Sequence, residues 1–258
     1  MTETPDPIPA RPKLKNIPIR RLLPNVLTML ALCSGLTAMR FAFGGEWAYA
    51  ALAIVVASVF DILDGRVARM LGVTSKFGAE LDSLADLTNF GVVPALVLYL
   101  WALQNAGSLG WIAVLVYVVC TASRLARFNT MLEEAPPPSW AKSYFTGVPS
   151  PGGAGIALLP LFLVIEFGPR FQMPAVLLSF WLIAAGLLMV ARLPTLSMKG
   201  RSIAPAWVAP IMTFVCLLVA ALITNPFMSL SLFSAGYIIS LPLGWLSYRR
   251  RERAESGR

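Results

Sequence analysis

Residues 60–87 of the chain read FDILDGRVARMLGVTSKFGAELDSLADL, and this stretch decides the fold. Its four aspartates are Asp61, Asp64, Asp82 and Asp86. Gly72 can end one helix, and Thr74 or Ser75 can cap the next. At about 3.6 residues per turn, each pair of aspartates lies on one face of its own helix. The stretch therefore predicts a helical hairpin whose carboxylates face each other.

Carboxylates in sequence this apolar indicate a functional site, because a charge buried in a membrane is costly. An ion-paired structural cluster with Arg66 and Arg69 is the alternative, but two cations do not neutralise four aspartates. Oxygen-only ligands suit Mg²⁺, Mn²⁺ or Ca²⁺, and two such ions would balance the charge. Gly65, Ala68 and Gly78 are small enough to leave room for a flat or charged ligand. Arg69 is placed to meet a phosphate group.

The composition is typical of a membrane protein with several spans. Of the 258 residues, 57% are apolar and only 13% are charged. The chain has no histidine, which excludes histidine acid–base catalysis and histidine metal ligands. Its three cysteines are isolated in apolar runs and fit neither a disulfide framework nor a thiolate metal site. The net charge of +8 is placed at span ends, which indicates a membrane surface rather than nucleic acid as the partner.

Eight apolar spans of roughly the length that a bilayer requires follow one another along the chain. They are residues 24–43, 47–71, 77–103, 109–131, 151–167, 173–192, 205–223 and 229–247. If the N-terminus is cytoplasmic, Lys and Arg fall at cytoplasmic ends, with Arg40 and Arg170 as exceptions. An even number of spans also places both termini in the cytoplasm. The hairpin then turns on the cytoplasmic side, and its aspartates line a shallow cavity open to the cytosol and bounded by lipid.

The spacing of the hairpin residues resembles a family signature. The pattern Asp61-x2-Asp64-Gly65-x2-Ala68-Arg69-x8-Gly78-x3-Asp82-x3-Asp86 is similar to that of the CDP-alcohol phosphatidyltransferases at all eight fixed positions. The resemblance implies that Asp61, Asp64 and Asp82 are metal ligands. It implies that Asp86 shares an ion and is the catalytic general base. The implied cofactor is a divalent cation, Mg²⁺ or Mn²⁺, with two ions per active site.

The same resemblance implies a binding site for the lipid nucleotide CDP-diacylglycerol. The first span begins Pro24-Asn25-x2-Thr28, an ordinary helix start, but the family often carries this pattern beside its nucleotide pocket. The residues predicted to bind CDP-diacylglycerol are Asn25, Thr28, Asp64, Gly65, Ala68, Arg69 and Gly78. The family further implies an all-α bundle with a six-helix core plus two C-terminal helices. It also implies a homodimer, in the inner membrane if the chain is bacterial.

Two later stretches are similar to the phosphatidylserine synthase branch of the family. Residues 123–129 read SRLARFN and residues 145–151 read FTGVPSP, and a weaker similarity lies in the lysine-containing loop 193–200. Positive-inside anchoring and packing of the fifth span are the alternative interpretations. The residues predicted to bind serine or a phosphate are Arg124, Arg127, Asn129, Gly147, Pro149 and Ser150.

The branch implies transfer of a phosphatidyl group from CDP-diacylglycerol to the hydroxyl of L-serine, with release of CMP. Glycerol 3-phosphate, inositol phosphate or choline as the acceptor would keep the same chemistry. A cation transporter and a non-catalytic scaffold are alternatives of other classes. The predicted organisation is a disordered, then basic interfacial segment at 1–23, the phosphatidyltransferase membrane domain at 24–202, two additional helices at 203–248 and a basic cytoplasmic tail at 249–258.

Overall fold

The computed structural model describes residues 22–73, 75–133, 144–191, 194–196 and 207–256. The α-helices of these ranges are α1 Leu23–Phe43, α2 Trp47–Leu71, α3 Lys76–Asp86, α4 Val93–Trp101, α5 Ser108–Glu133, α6 Ser150–Phe167, α7 Ala175–Val190, α8 Val208–Thr224 and α9 Pro226–Ser256. Two short strands, β1 Tyr144–Thr146 and β2 Pro194–Leu196, pair antiparallel. Residues 1–21 of the predicted interfacial segment lie outside the described residues, as do Lys199 and Gly200.

The predicted helical bundle is confirmed, and each of the eight apolar spans coincides with helix. Within the described ranges, five helical stretches are long and apolar enough to cross a membrane: Leu23–Phe43, Trp47–Leu71, Lys76–Trp101, Ser108–Thr130 and Ser150–Phe167. The apolar parts of α7, α8 and α9 are shorter. Large apolar side chains such as Leu36 and Phe180 are more than half exposed, as expected for a lipid-facing surface. The sequence predicted neither the strand pair nor the π-helical turn at Leu87–Val92 that interrupts the third span.

The turn of the predicted hairpin forms as expected from its residues. Gly72 ends α2 in the left-handed conformation with φ of 61°, which only glycine adopts at little cost. Ser75 caps α3 by accepting a hydrogen bond of 3.0 Å from the Gly78 backbone N–H to its Oγ. Thr74, the alternative cap, lies outside the described residues. The two aspartate-bearing helices are thereby held side by side.

A π-helical turn at Leu87–Val92 separates α3 from α4. Such turns widen a helix by one residue and leave backbone carbonyls available to other partners. The Phe90 carbonyl accepts a 3.0 Å hydrogen bond from the Tyr117 hydroxyl of α5. Asn89 is buried in the turn against Gly35 of α1, where a Cβ atom would lie 2.0 Å from the Asn89 Oδ1. The turn therefore fixes α3 to two other helices just beyond Asp86.

The remaining helices pack around this unit through small residues and a leucine-rich core. Helices α1 and α2 meet over alanines that are buried, which lets their backbones approach closely. Deeper in the bundle, Leu98, Leu158 and Leu178 belong to one apolar core. The strand pair joins the chain just before α6 to the chain just after α7. It ties the beginning of α6 to the end of α7.

Candidate active site

The first feature of the site is a cluster of three aspartates at the open end of the α2–α3 hairpin. Asp61, Asp64 and Asp82 each offer a carboxylate oxygen, and these oxygens lie within 4.8 Å of one another. Asp64 is only 4% exposed, and its Oδ2 accepts a 2.5 Å hydrogen bond from the Thr28 hydroxyl of α1. Because three carboxylates this close repel one another, the arrangement calls for a counter-charge.

Asp86 extends this cluster by one helical turn of α3. Its carboxyl group interacts with that of Asp61. Its Oδ1 is buried and, among the described residues, has no hydrogen-bond partner. Close carboxylates together with an unpartnered buried oxygen form the hard, all-oxygen donor set that Mg²⁺ and Mn²⁺ prefer. The residues present therefore fit a divalent cation.

A cavity of about 180 Å³ lies between α1, α2 and α3, and we call it the hairpin cavity. The seven residues predicted to bind CDP-diacylglycerol all line it: Asn25, Thr28, Asp64, Gly65, Ala68, Arg69 and Gly78. Asp82 lines it as well, so the cavity shares two aspartates with the cluster. Its walls thus carry carboxylates at one side and a guanidinium at the other.

The two glycines of the hairpin cavity differ in how close their neighbours lie, and Gly78 has the tighter surroundings. A Cβ atom at Gly78 would lie 3.0 Å from the Asn25 Oδ1 and 3.1 Å from the Ser75 Oγ. A Cβ atom at Gly65 would lie 3.4 Å from the Arg69 Nη1. Gly78 therefore lets α3 approach the beginning of α1, and Gly65 lets the Arg69 guanidinium lie across the helix. Larger residues would fill the space left for a ligand.

A second polar group lies on the other side of Asp86, and we call it the Arg124 cluster. It consists of Asp86, Arg124 of α5 and Ser150, the first residue of α6. The Arg124 Nη1 donates a hydrogen bond to the Ser150 Oγ, and the guanidinium and the Asp86 carboxylate attract each other electrostatically. Ser150 is fully buried, whereas Asp86 and Arg124 are half-buried.

The structure separates the other residues that were predicted to bind serine or a phosphate. The Arg127 Nη1 donates a 3.0 Å hydrogen bond to the Val190 carbonyl at the end of α7. The Asn129 Nδ2 donates a 2.9 Å hydrogen bond to the Ser83 Oγ of α3. Both side chains therefore hold helices together instead of joining the Arg124 cluster.

Gly147 and Pro149 shape the chain that leads into Ser150. Gly147 has φ of 85°, and a Cβ atom there would lie 2.8 Å from the Met189 carbonyl. Pro149 caps α6 in an extended conformation and lines an apolar cavity of about 340 Å³ between α2, α6 and α9. The backbone conformations of the glycine and the proline thus lead the chain to Ser150, where it contacts Arg124.

Two residues beside the site did not come from the sequence-based prediction of site residues. Asn89 shares a helical face with Asp82 and Asp86 in the sequence pattern, and this periodicity was the signal that could have identified it. Tyr237 of α9 interacts electrostatically with Arg124, although no spacing in the sequence connects the two. Only the packing of α9 against α6 brings it there.

Comparison with known proteins agrees with this geometry. The family model described as CDP-alcohol phosphatidyltransferase matches residues 21–181. The chain belongs to the CDP-alcohol phosphatidyltransferase family. A second model, CDP-alcohol phosphatidyltransferase 2, matches residues 206–242, which cover α8 and the first part of α9. All residues of the hairpin cavity and of the Arg124 cluster lie within the first match, at residues 21–181. Tyr237 of α9 lies within the second.

Relatives of this phosphatidyltransferase chain cover most of its length. A Mycobacterium leprae protein is 36% identical over 233 residues, which are 90% of this chain and 77% of the relative. A Mycobacterium tuberculosis protein is 37% identical over 89% of this chain and 80% of the relative. A Helicobacter pylori protein is 31% identical over 87% of this chain and 91% of the relative. All three are named CDP-diacylglycerol–serine O-phosphatidyltransferase.

Proposed function

We propose that this enzyme transfers the phosphatidyl group of CDP-diacylglycerol to the hydroxyl of L-serine and releases CMP. The observation that carries the proposal is that Asp86 interacts both with aspartates of the cluster and with Arg124. A phosphoryl donor on one side and a small anionic alcohol on the other would then meet at one carboxylate. Two relatives that align with 90% and 89% of this chain are named as serine O-phosphatidyltransferases, and these names support serine as the acceptor.

The chemistry requires a weak nucleophile to displace a nucleotide from a phosphate that already carries negative charge. Bound divalent cations, which we place at Asp61, Asp64 and Asp82 with Asp86 sharing one, would neutralise the diphosphate and the departing CMP. The residues that line the hairpin cavity would hold the cytidine and the diphosphate, and Arg69 would bind a phosphate. The diacylglycerol chains would leave sideways into the bilayer.

The transfer itself is a displacement at the phosphorus that carries diacylglycerol. The serine oxygen forms a bond to that phosphorus, the bond to the bridging oxygen of CMP breaks, and CMP leaves with the electron pair. Asp86 accepts the proton of the serine hydroxyl, the role of a positioned general base. Arg124 pairs with the serine carboxylate, and Ser150 holds the guanidinium in place. We assign Arg127, Asn129, Gly147 and Pro149 to positioning of this cluster.

The proposal includes the topology and assembly of the protein. All eight apolar helical stretches cross the membrane, both termini are cytoplasmic, and the hairpin turns on the cytoplasmic side. Its arginines then lie on the side of the membrane where Lys and Arg are in excess. The enzyme is a homodimer with a basic tail at residues 249–258 and the domain bounds given above. A cysteine at position 258, in a variant without Cys33, Cys120 and Cys216, should react with impermeant reagents only from the cytoplasmic side.

The decisive experiment is CMP release by the purified protein with CDP-diacylglycerol and Mg²⁺ or Mn²⁺. L-Serine, glycerol 3-phosphate, inositol phosphate and choline are supplied one at a time. We expect serine-dependent release that falls at least about a hundredfold in Asp86→Asn, as for loss of a general base. Glu80→Gln is the matched control, since Glu80 is exposed on the same helix and should leave the rate unchanged.

Release with another alcohol would keep the reaction and overturn serine as the acceptor. If no alcohol gave CMP from folded protein, the phosphatidyltransfer reaction would be wrong for this chain. Cation flux into vesicles without CMP release would then favour the transporter.

A further inference from the structure

A few buried side-chain atoms remain without a hydrogen-bond partner within the described part of the chain. They are Asp86 Oδ1, Asn89 Oδ1, Arg124 Nε, Ser231 Oγ and the Tyr237 hydroxyl. Asp86, Arg124 and Tyr237 form a connected set, because Arg124 interacts electrostatically with both of the others. They come from three different helices, α3, α5 and α9.

Tyr237 is held in this set by close packing against the beginning of α6. A Cβ atom at Gly152 would lie 3.2 Å from the Tyr237 Cε1 and 3.5 Å from its Cζ. Gly152 follows Ser150, the hydrogen-bond partner of Arg124, by two residues. The ring also borders the apolar cavity of about 340 Å³. The tyrosine therefore has an apolar environment along its ring and lies against the same segment whose Ser150 holds the Arg124 guanidinium.

Buried polar atoms without partners are uncommon, since each costs roughly 1–3 kcal/mol relative to a satisfied atom. Three of them on side chains that interact with one another indicate a polar guest that supplies the missing partners. Asp86 Oδ1 can only accept while ionised, Arg124 Nε can only donate, and the Tyr237 hydroxyl can do either. The complementary guest carries a hydroxyl for Asp86 and an anionic group for Arg124 and Tyr237.

We propose that Tyr237 binds the anionic group of the acceptor alcohol together with Arg124, so that the last helix completes the acceptor site. The inference rests on the proposed function and extends it to a residue outside the aspartate motif. In the serine reaction, the Tyr237 hydroxyl donates to the carboxylate, while Arg124 Nε pairs with the same group. The hydroxyl of the acceptor is then left facing Asp86. The helix pair α8–α9 thereby acts in substrate specificity.

The test is the variant Tyr237→Phe, which removes one oxygen and keeps the ring against Gly152. Loss of a hydrogen bond to a charged group should raise the KM for L-serine about tenfold or more, while the KM for CDP-diacylglycerol stays at the wild-type value. Tyr99→Phe is the matched control, because Tyr99 packs on Trp111 with ring centroids 5.3 Å apart and takes no part in the site. It should change neither constant.

A second variant, Gly152→Ala, tests the same contact without a substitution at Tyr237. Its new methyl group presses on the ring, so we expect a smaller rise in the serine KM and an unchanged KM for CDP-diacylglycerol. An unchanged serine KM in Tyr237→Phe, with normal use of CDP-diacylglycerol, would overturn the inference, as would equal changes in both constants. If the wild type uses another anionic alcohol, serine is wrong as the acceptor, and the KM of that alcohol tests Tyr237 in the same way.

Discussion

The hairpin cavity draws its walls from three consecutive helices, α1 to α3, whereas the Arg124 cluster combines α3, α5 and α6 and meets α9. The first is a partly open cavity between neighbouring helices whose small residues are set by local spacing. The second depends on contacts between helices that are far apart in the chain. In the proposed function this difference becomes a division of labour, with the donor bound in the hairpin cavity and the acceptor bound at the Arg124 cluster. Four predictions probe this division.

The largest effect is expected from Asp64→Asn in the shared aspartate cluster. The change keeps the shape of the side chain but removes a charge that lies within 4.8 Å of two other carboxylate oxygens. Loss of a metal ligand removes several kcal/mol of transition-state stabilisation, which is about a thousandfold in kcat. CMP release should fall equally with every acceptor, and Mn²⁺ binding measured by electron paramagnetic resonance should weaken. Unaltered Mn²⁺ binding would show that Asp64 is not a ligand.

A large but selective effect is expected from Arg124→Lys. Lysine keeps the positive charge beside Asp86 but loses the planar pair of donors that can hold both Ser150 and a carboxylate. The KM for L-serine should rise about thirtyfold, in the range of hydrogen bonds to charged groups, with little change in the KM for CDP-diacylglycerol. Steady-state kinetics with each substrate varied in turn give the answer. A rise confined to the KM for CDP-diacylglycerol would show that Arg124 acts in donor binding and would contradict the proposed separation of donor and acceptor sites.

The opposite selectivity, a change in the KM for CDP-diacylglycerol and not for L-serine, is expected from Gly78→Ala. The added methyl group would lie 3.0 Å from the Asn25 Oδ1, so the hairpin cavity narrows or α3 shifts away from α1. Overpacking at a partly open site belongs at the low end of its usual cost, ~1 kcal/mol, or a few-fold in the KM for CDP-diacylglycerol. The serine KM should not move. Gly236→Ala in α9 is the control, because a Cβ atom there meets no described atom within 4 Å.

The smallest effect is expected from Asn129→Ala, which removes the 2.9 Å hydrogen bond to Ser83. The free energy of unfolding should fall by about 1 kcal/mol, and both KM values should stay near wild type. Ser83→Ala should cost the same, and the double variant should cost no more than either single one. Thermal unfolding in detergent measures this cycle. A serine KM that rises in Asn129→Ala but not in Ser83→Ala would instead make Asn129 a binding residue.

The same contrast explains what the sequence could and could not predict. The hairpin follows from local rules: Gly72 ends a helix, Ser75 caps the next, and a spacing of three or four residues puts aspartates on one face. The path of Arg127 to the Val190 carbonyl could not be predicted, because it depends on where α7 ends relative to α5. The strand pair is equally hidden, since three residues on each side carry no periodic pattern. The nearness of Tyr237 to Arg124 is set by tertiary packing alone.

The π-turn at Leu87–Val92 has a consequence for how such an enzyme can change over evolutionary time. One extra residue in a helical turn rotates everything beyond it by about 100° relative to an unbroken α-helix. Asn89, wedged against Gly35, holds that turn in place. The rotation of the α3 face that carries Asp82 and Asp86 is therefore set apart from the rotation of the face that α4 presents to the core. Substitutions in the buried α4 can therefore change the packing of the core without turning the aspartates of α3 away from their partners.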